Sequence, residues 1–306
     1  MALILRKGLS LTGSIEDYPQ GIIIPVDKPY RWTSADVIRK IKFTAVRHFG
    51  KRNLKVGHAG TLDPLATGVL LVCIGAATRL AESLQKEGKE YLAGITFGAT
   101  TPSFDLEKEI DRLYPYDSVS EASIRDALKG FIGDQLQVAP LFSAKSVDGV
   151  RAYEMARKAL KASLKEGTPF DESQAELLTR QQITVSEAEL VSFYPAGTEE
   201  PSAIAPGSEN SSVATGISPE GQVLYVRSEQ QGPGTRIHVC DNAALTLPHA
   251  LVRIACSKGT YIRAIARDLG EALGTGAHLY ALRRTASGGF TAASSLTVDD
   301  VLAALS

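Results

Sequence analysis

Between Gly57 and Gly68 the chain reads Gly-His-Ala-Gly-Thr-Leu-Asp-Pro-Leu-Ala-Thr-Gly, which packs three glycines, a histidine and an aspartate into twelve residues. Glycines tolerate conformations and close backbone approach that other residues do not, so the segment reads as a shaped loop ahead of the apolar run Val69–Ile74. Asp63 stands before Pro64, and a residue before proline is biased away from helical geometry, which favours a carboxylate held outward. An ionised carboxylate so placed has two uses, as a nucleophile or as a base. The segment lacks the Gly-Lys-Ser/Thr ending of a Walker loop and the spacing of a dinucleotide fingerprint. His58 and Asp63 have no matching ligand set for a metal. On spacing alone an ordinary Asp-Pro turn fits as well.

Upstream of the loop, residues 21–26 predict a buried strand that ends at Asp27-Lys28-Pro29, because proline cannot continue a sheet ladder. Thr33 and Asp36 have the spacing of a capping box for the next helix, with Val37, Ile38 and Ile41 as its apolar stripe. Arg39, Lys40, Lys42, Arg47 and His48 crowd the rest of that helix, and the basic cluster continues through Lys51, Arg52 and Lys55. A charge run of this kind is usually a solvated face. Residues 105–126 are by contrast acid-rich.

Downstream, Tyr91, Ala93, Ile95 and Phe97 alternate on one face of a strand over Lys89–Phe97. Residues 121–132 predict a helix with Ile124, Leu128, Phe131 and Ile132 inward and Gly133 as terminator. A second helix, rich in lysine and arginine, is expected over Arg151–Lys165, and strand character returns over 182–194. From Pro195 to Gly221 the composition is nearly all small and polar, which predicts a mobile loop. Gln222–Val226 and Thr235–Cys240 read as a hairpin about a Gly-Pro-Gly turn, followed by a strand over Leu251–Cys256 and a helix over Tyr261–Leu273. Thr297 and Asp300 repeat the capping-box spacing before a short carboxy-terminal helix.

The chain has 306 residues, 44% hydrophobic and 22% charged, ordinary values that exclude a mostly disordered, collagen-like or coiled-coil protein. A net charge of −1 makes any polyanion site a local concentration of cations. Cys73, Cys240 and Cys256 lie far apart, which excludes a disulfide framework and a cysteine-rich zinc site. With no membrane-spanning run and no secretory pattern, a cytoplasmic protein is expected.

The string Gly57–Gly68 is similar to the catalytic motif of the bacterial tRNA pseudouridine synthases of the TruB family. Further blocks match in order: Asp27-Lys28-Pro29 with Thr33-Ser34, then Lys89-Glu90-Tyr91, then Phe142-Ser143-Ala144 through Gly149 to Arg157, then Ser257 to Arg263, and finally Gly276 to Arg284. The resemblance spans residues 21 to about 290. It implies an α+β pseudouridine synthase fold, a mixed, mainly antiparallel sheet with flanking helices, over residues 1–306 as a single catalytic domain. It also implies an RNA-clasping insertion over 139–178, and no carboxy-terminal PUA domain is expected.

The implied activity is conversion of uridine 55 in the T loop of tRNA to pseudouridine, with tRNA as partner, no cofactor, no metal and no evident obligate protein partner. The aspartate before the proline is the family's catalytic residue, so the match assigns that role to Asp63, as nucleophile. A carboxylate in a water-poor pocket is costly unless paired, and a guanidinium offers fixed bidentate geometry. The match gives that partner role to Arg263. Chemistry on a base within folded RNA requires the nucleotide to be extruded. Tyr91 matches the tyrosine that stacks on the flipped uracil, with a possible part in proton transfer. Tyr261 and Leu282 match pocket-lining positions, and His58 matches a histidine that helps hold the target loop open. Lys145, Arg151, Arg157, Lys158, Lys161 and Lys165 make the insertion locally basic, which suits phosphate contacts.

The chain departs from the family pattern at Thr101-Pro102-Ser103-Phe104-Asp105, where a proline takes the first acidic position, and at Ser146, where Lys145 stands beside the usual lysine position. Two other functions fit the same motifs: a non-catalytic tRNA-binding or folding protein, and a pseudouridine synthase with another RNA target.

Overall fold

A computed structural model of the chain describes residues 1–143, 145–147, 150–166, 170, 175, 178, 180–198, 216–217, 223–224, 237, 239–240 and 246–306. The amino-terminal strands are β1 (Leu3–Ile4) and β2 (Ile22–Lys28), followed by helix α1 (Ser34–His48) and strands β3 (Val56–Ala59) and β4 (Ala66–Ile74). Helix α2 (Ala81–Lys86) leads to β5 (Lys89–Phe97), the short pair β6 (Ala99–Thr100) and β7 (Arg112–Leu113), helix α3 (Glu121–Lys129) and β8 (Gly133–Gln137). Next come β9 (Ser146–Val147), β10 (Val150–Arg151), helix α4 (Ala152–Glu166), β11 (Gln181–Tyr194), β12 (Gly216–Ile217) and β13 (Val223–Leu224). The chain closes with β14 (His249–Cys256), helix α5 (Ile262–Ala272), β15 (Ala277–Ser287), β16 (Phe290–Thr291) and helix α6 (Val298–Ala304). The fold is α+β with a mixed sheet: β1 and β2 are parallel, whereas β2, β3, β8, β11, β14 and β16 pair antiparallel with their partners.

The chain forms two compact units. One contains Met1–Tyr91, Arg283–Ser306 and the described part of 207–237; the other contains the described parts of 92–206 and 238–282. Both β5 and β15 pass from one unit to the other. In the first unit the strand order is β1-β2-β4-β15, with β3 paired to β4 and β16 to β15. Nearly every residue of β4 is buried, because β4 lies between β2 on one side and β3 and β15 on the other. Pro25 lies within β2, where a proline is tolerated only if its nitrogen faces away from the ladder. On the edge away from β4, Ile23 bonds to Leu5 after β1, and Asp27 and the Pro25 carbonyl bond to Leu296, so the missing N–H of Pro25 costs no β2–β4 bond.

The capping box of α1 forms as expected: the Thr33 hydroxyl accepts from the Asp36 N–H at 3.0 Å, and the Asp36 carboxylate accepts from the Thr33 N–H at 3.0 Å. The buried stripe is Val37, Ile41 and Ala45, spaced four apart. Gly50, at φ +60°, lets the chain turn away after the helix. The capping box at Thr297 and Asp300 also forms, and α6 packs on α1 and β2.

In the second unit the order is β15-β5-β14-β11-β8. On β5 both faces are largely buried, so its alternation marks two packed faces and not a wet and a dry one. Helix α3 is shorter than the pattern of 121–132 implied. It ends at Lys129 with Gly130 as its cap, leaving Ile132 exposed and Gly133, at φ +110°, opening β8. β8 and β15 carry no clear strand pattern in the sequence, and the expected hairpin falls mostly on residues outside those described. Val223–Leu224 pairs with Gly216–Ile217, while most of 235–240 and most of the 195–221 loop lie outside the described residues.

Candidate active site

The Gly57–Gly68 string is the connection between two antiparallel strands, β3 and β4, with His58 opposite Val72 and Ala59 opposite Leu71. Asp63 sits in the tight turn of that connection, where the Ala66 N–H donates to the Asp63 carbonyl at 3.1 Å. Leu62 and Leu65 on either side are buried and pin the turn to the core. A tight turn leaves peptide groups without ladder partners, and here side chains from distant elements supply them. The Ser34 hydroxyl, at the start of α1, donates to the Leu62 carbonyl at 3.1 Å and accepts from the Leu62 N–H at 2.9 Å. Lys28 Nζ, at the end of β2, donates to the carbonyls of Pro29 at 2.9 Å, Pro64 at 3.2 Å and Trp32. Arg284, on β15, donates to the carbonyls of Val69 at 2.6 Å, Gly60 at 3.1 Å and Thr61 at 3.4 Å.

The far end of the connection is closed by a second pair. Asp27 accepts from the Gly68 N–H at 3.1 Å and from both terminal nitrogens of Arg283, at 3.1 and 2.7 Å. Arg283 also donates to the Thr67 hydroxyl at 3.3 Å. Gly68 has φ +97°, and a Cβ there would collide with the backbone of Arg284, so both conformation and close approach demand glycine.

Lys28 is 0% exposed and Arg284 1%, so the Asp63 turn rests on two fully buried cations. Burial pushes the Lys28 ammonium down to about 7, while the carboxylates of Asp63 and then Asp27 act to hold it up. Asp63 is therefore within the field of a lysine that cannot swing away. His58 is half-buried and held below its ordinary value by burial, then by Arg284. Its Nδ1 has no hydrogen-bond partner among the described residues. Tyr91 belongs to the same unit and is buried on β5.

The second unit holds the other expected site residues. Tyr261 caps α5 from its amino-terminal side; its N–H donates to the Gln137 amide oxygen at 2.8 Å, and its carbonyl accepts from the Gln137 amide nitrogen at 3.2 Å. It packs against the apolar cluster of Ala139, Leu141 and Phe142. Leu282 is half-buried on β15. Arg263, two residues after Tyr261, is 5% exposed. It donates to the Ser103 carbonyl at 3.1 Å and its Nε lies 3.8 Å from Asp105. Asp105 is itself fixed, accepting from the Ser103 hydroxyl at 2.6 Å and the Glu107 N–H at 2.9 Å. Phe104 between them adopts φ +55°, a costly conformation for an aromatic residue, with Arg267 packed over its ring at 5.6 Å.

Six residues were thus given no role by sequence reasoning: Asp27, Lys28, Ser34, Asp105, Arg283 and Arg284. All but Asp105 lie in blocks singled out by resemblance, and Asp105 ends the segment where the chain departs from the family pattern. In the basic insertion, Arg151, Arg157, Lys158, Lys161 and Lys165 are exposed, whereas Lys145 donates to the Gln181 side chain at 2.7 Å. No described helix is long and apolar enough to cross a membrane.

Residues 47–193 match the family model for the TruB family pseudouridylate synthase N-terminal domain, and residues 263–306 match the tRNA pseudouridylate synthase B C-terminal domain. The tRNA pseudouridine synthase B of Phocaeicola vulgatus is 39% identical over 272 residues, 89% of this chain and 88% of that protein. The protein of the same name from Deinococcus radiodurans is 33% identical over 91% of this chain and 78% of its own length. Among solved structures, a Cbf5-Nop10-Gar1 complex matches with a TM-score of 0.54 at 24% identity, covering 97% of this chain and 58% of that one. An H/ACA RNP bound to a substrate RNA containing 2'-deoxyuridine matches with a TM-score of 0.50 at 21% identity, covering 98% and 61%. At those identities the likeness is one of fold. The curated relatives are closer and match over most of both chains, and on that ground this chain belongs to the TruB family of pseudouridylate synthases.

Proposed function

We propose that the protein isomerises uridine 55 in the T loop of tRNA to pseudouridine, with Asp63 as nucleophile. Arg263 is its ion-pair partner, Tyr91 stacks on the flipped base, and His58, Tyr261 and Leu282 contact the substrate. The tRNA substrate follows the names of the relatives, and the residue roles follow the motif match. The observation that carries the reading is the anchoring of the Asp63 turn. Three side chains from separate elements, Ser34, Lys28 and Arg284, bond the peptide groups on both sides of Asp63, and two of them are buried basic groups.

Such a site suits a reaction in which one group must act repeatedly without moving. The glycosidic bond from N1 to C1' breaks, the uracil turns within the pocket, and C5 bonds to C1'. The hydrogen on C5 then leaves to solvent and N1 regains a proton, so no external oxidant, reductant or group carrier is consumed. Extruding the uridine costs a few kcal/mol, and stacking on an aromatic ring returns roughly 1 to 3 kcal/mol.

Tritium release from tRNA labelled at uridine carbon 5 tests the proposal. The wild type is expected to release label from tRNA and not from a transcript lacking the T-arm target. Asp63→Asn is expected to bind tRNA and release none, and turnover by that variant would refute the assignment.

A further inference from the structure

From Val37 to Leu62 the chain carries seven lysines and arginines and not one aspartate or glutamate, although its net charge is −1. Two of these cations are tied locally, Arg39 to Asp36 at 2.8 Å and Lys51 to Glu16 at 2.8 Å. Lys40, Lys42, Arg47, Arg52 and Lys55 are exposed and have no ion pair among the described residues. Within the same face of α1 stands Phe43, 63% exposed, with the Arg47 guanidinium 5.6 Å from its ring. Arg39, Phe43 and Arg47 recur every four residues, so they form one face, away from the buried stripe of Val37, Ile41 and Ala45. A large aromatic left in water among unneutralised cations is the composition of a stacking platform in a polyanion track.

The face is also fixed relative to the Asp63 turn, since Ser34 at the start of α1 is bonded both ways to Leu62. A helix of 15 residues extends about 22 Å at 1.5 Å per residue. Over that length a nucleic-acid duplex presents roughly six phosphates per strand.

We propose that the outward face of α1, with the Lys51–Lys55 segment, is a docking surface for RNA backbone, distinct from the turn that carries Asp63, with Phe43 stacking on an unpaired base. The proposal rests on the reading that the substrate is tRNA and adds where that substrate is held. RNA is favoured over an acidic protein because the exposed ring offers a face that every base can use.

The test is tRNA affinity measured against salt. For Lys40→Ala/Lys42→Ala/Arg47→Ala the slope of log affinity against log salt is expected to fall by about 2 to 3, roughly 0.7 to 0.9 for each lost phosphate contact. A control with the same change in charge, Lys7→Ala/Lys86→Ala/Lys129→Ala, is expected to keep the wild-type slope. Phe43→Ala is expected to weaken binding about five-fold or more with the slope unchanged, and Phe43→Tyr to restore it. A wild-type slope in the α1 variant, or an equal fall in the control, would overturn the proposal. Tritium release separates the two readings: if the wild type does not turn over tRNA, the proposed function fails, while the slopes still decide the surface.

Discussion

In the proposed reaction Asp63 acts as an ionised carboxylate, and Lys28 stands beside its turn as a fixed, buried amine. The cost is visible in its titration. The folded ammonium is pushed down to about 7 from an ordinary 10.5, so between those values the unfolded chain binds more protons than the folded one. Stability from this group therefore rises with pH across that window. In urea unfolding at pH 7, 8 and 9, the stability difference between wild type and Lys28→Met is expected to grow with pH; a constant difference would show that Lys28 titrates normally. Asp105 acts at the same scale on Arg263. Asp105→Asn removes the charge that orients the guanidinium, and a misplacement near 1 Å costs about a hundred-fold. Single-turnover tritium release is expected to fall by about that factor, with tRNA affinity retained. Tyr91→Phe keeps the stacking face, so a block in turnover with normal binding would assign chemistry to its hydroxyl.

At the scale of elements, the β3–β4 connection shows why identical letters are not equivalent. Gly57 and Gly68 close the two ends of one string. A Cβ on Gly57 meets nothing within 4 Å, whereas on Gly68 it meets the Arg284 backbone at a positive φ. Gly57→Ala is expected to leave the urea midpoint nearly unchanged, and Gly68→Ala to lower stability by about 3 kcal/mol or more, with loss of turnover. Equal effects would mean that the connection is not held as described. The cap of α1 is a milder case. Thr33→Ala is expected to cost about 1 kcal/mol by thermal unfolding, since one helix donor loses its partner.

At the scale of the whole molecule, charge is nearly balanced in sum and strongly uneven in place. The exposed cations of α4, Arg157, Lys158 and Lys161, form a second basic surface besides that of α1. If both surfaces grip tRNA at different phosphates, neutralising each lowers the salt slope independently, and the combined variant is expected to show the sum, about 4 to 5 units of slope. A combined effect no larger than either alone would place both on one shared contact.

Local patterns carried the strands and helices whose periodicity or caps are strong: β2, α1, β5, α4, β11, α5 and α6 all lie within a few residues of where the sequence put them. The two capping boxes were legible because a cap is a contact between residues three apart. The same local reading overran α3, because glycines mark a stop without saying which one is used. Asp63 stood out through its neighbours in the string. What holds it did not, since Lys28, Ser34 and Arg284 come from places up to 256 positions apart in the chain. Buried cations satisfied by backbone carbonyls leave no spacing in the sequence: the partners are generic peptide groups, and only the packing of β2, β4 and β15 in the first unit decides which of them an arginine or lysine can reach.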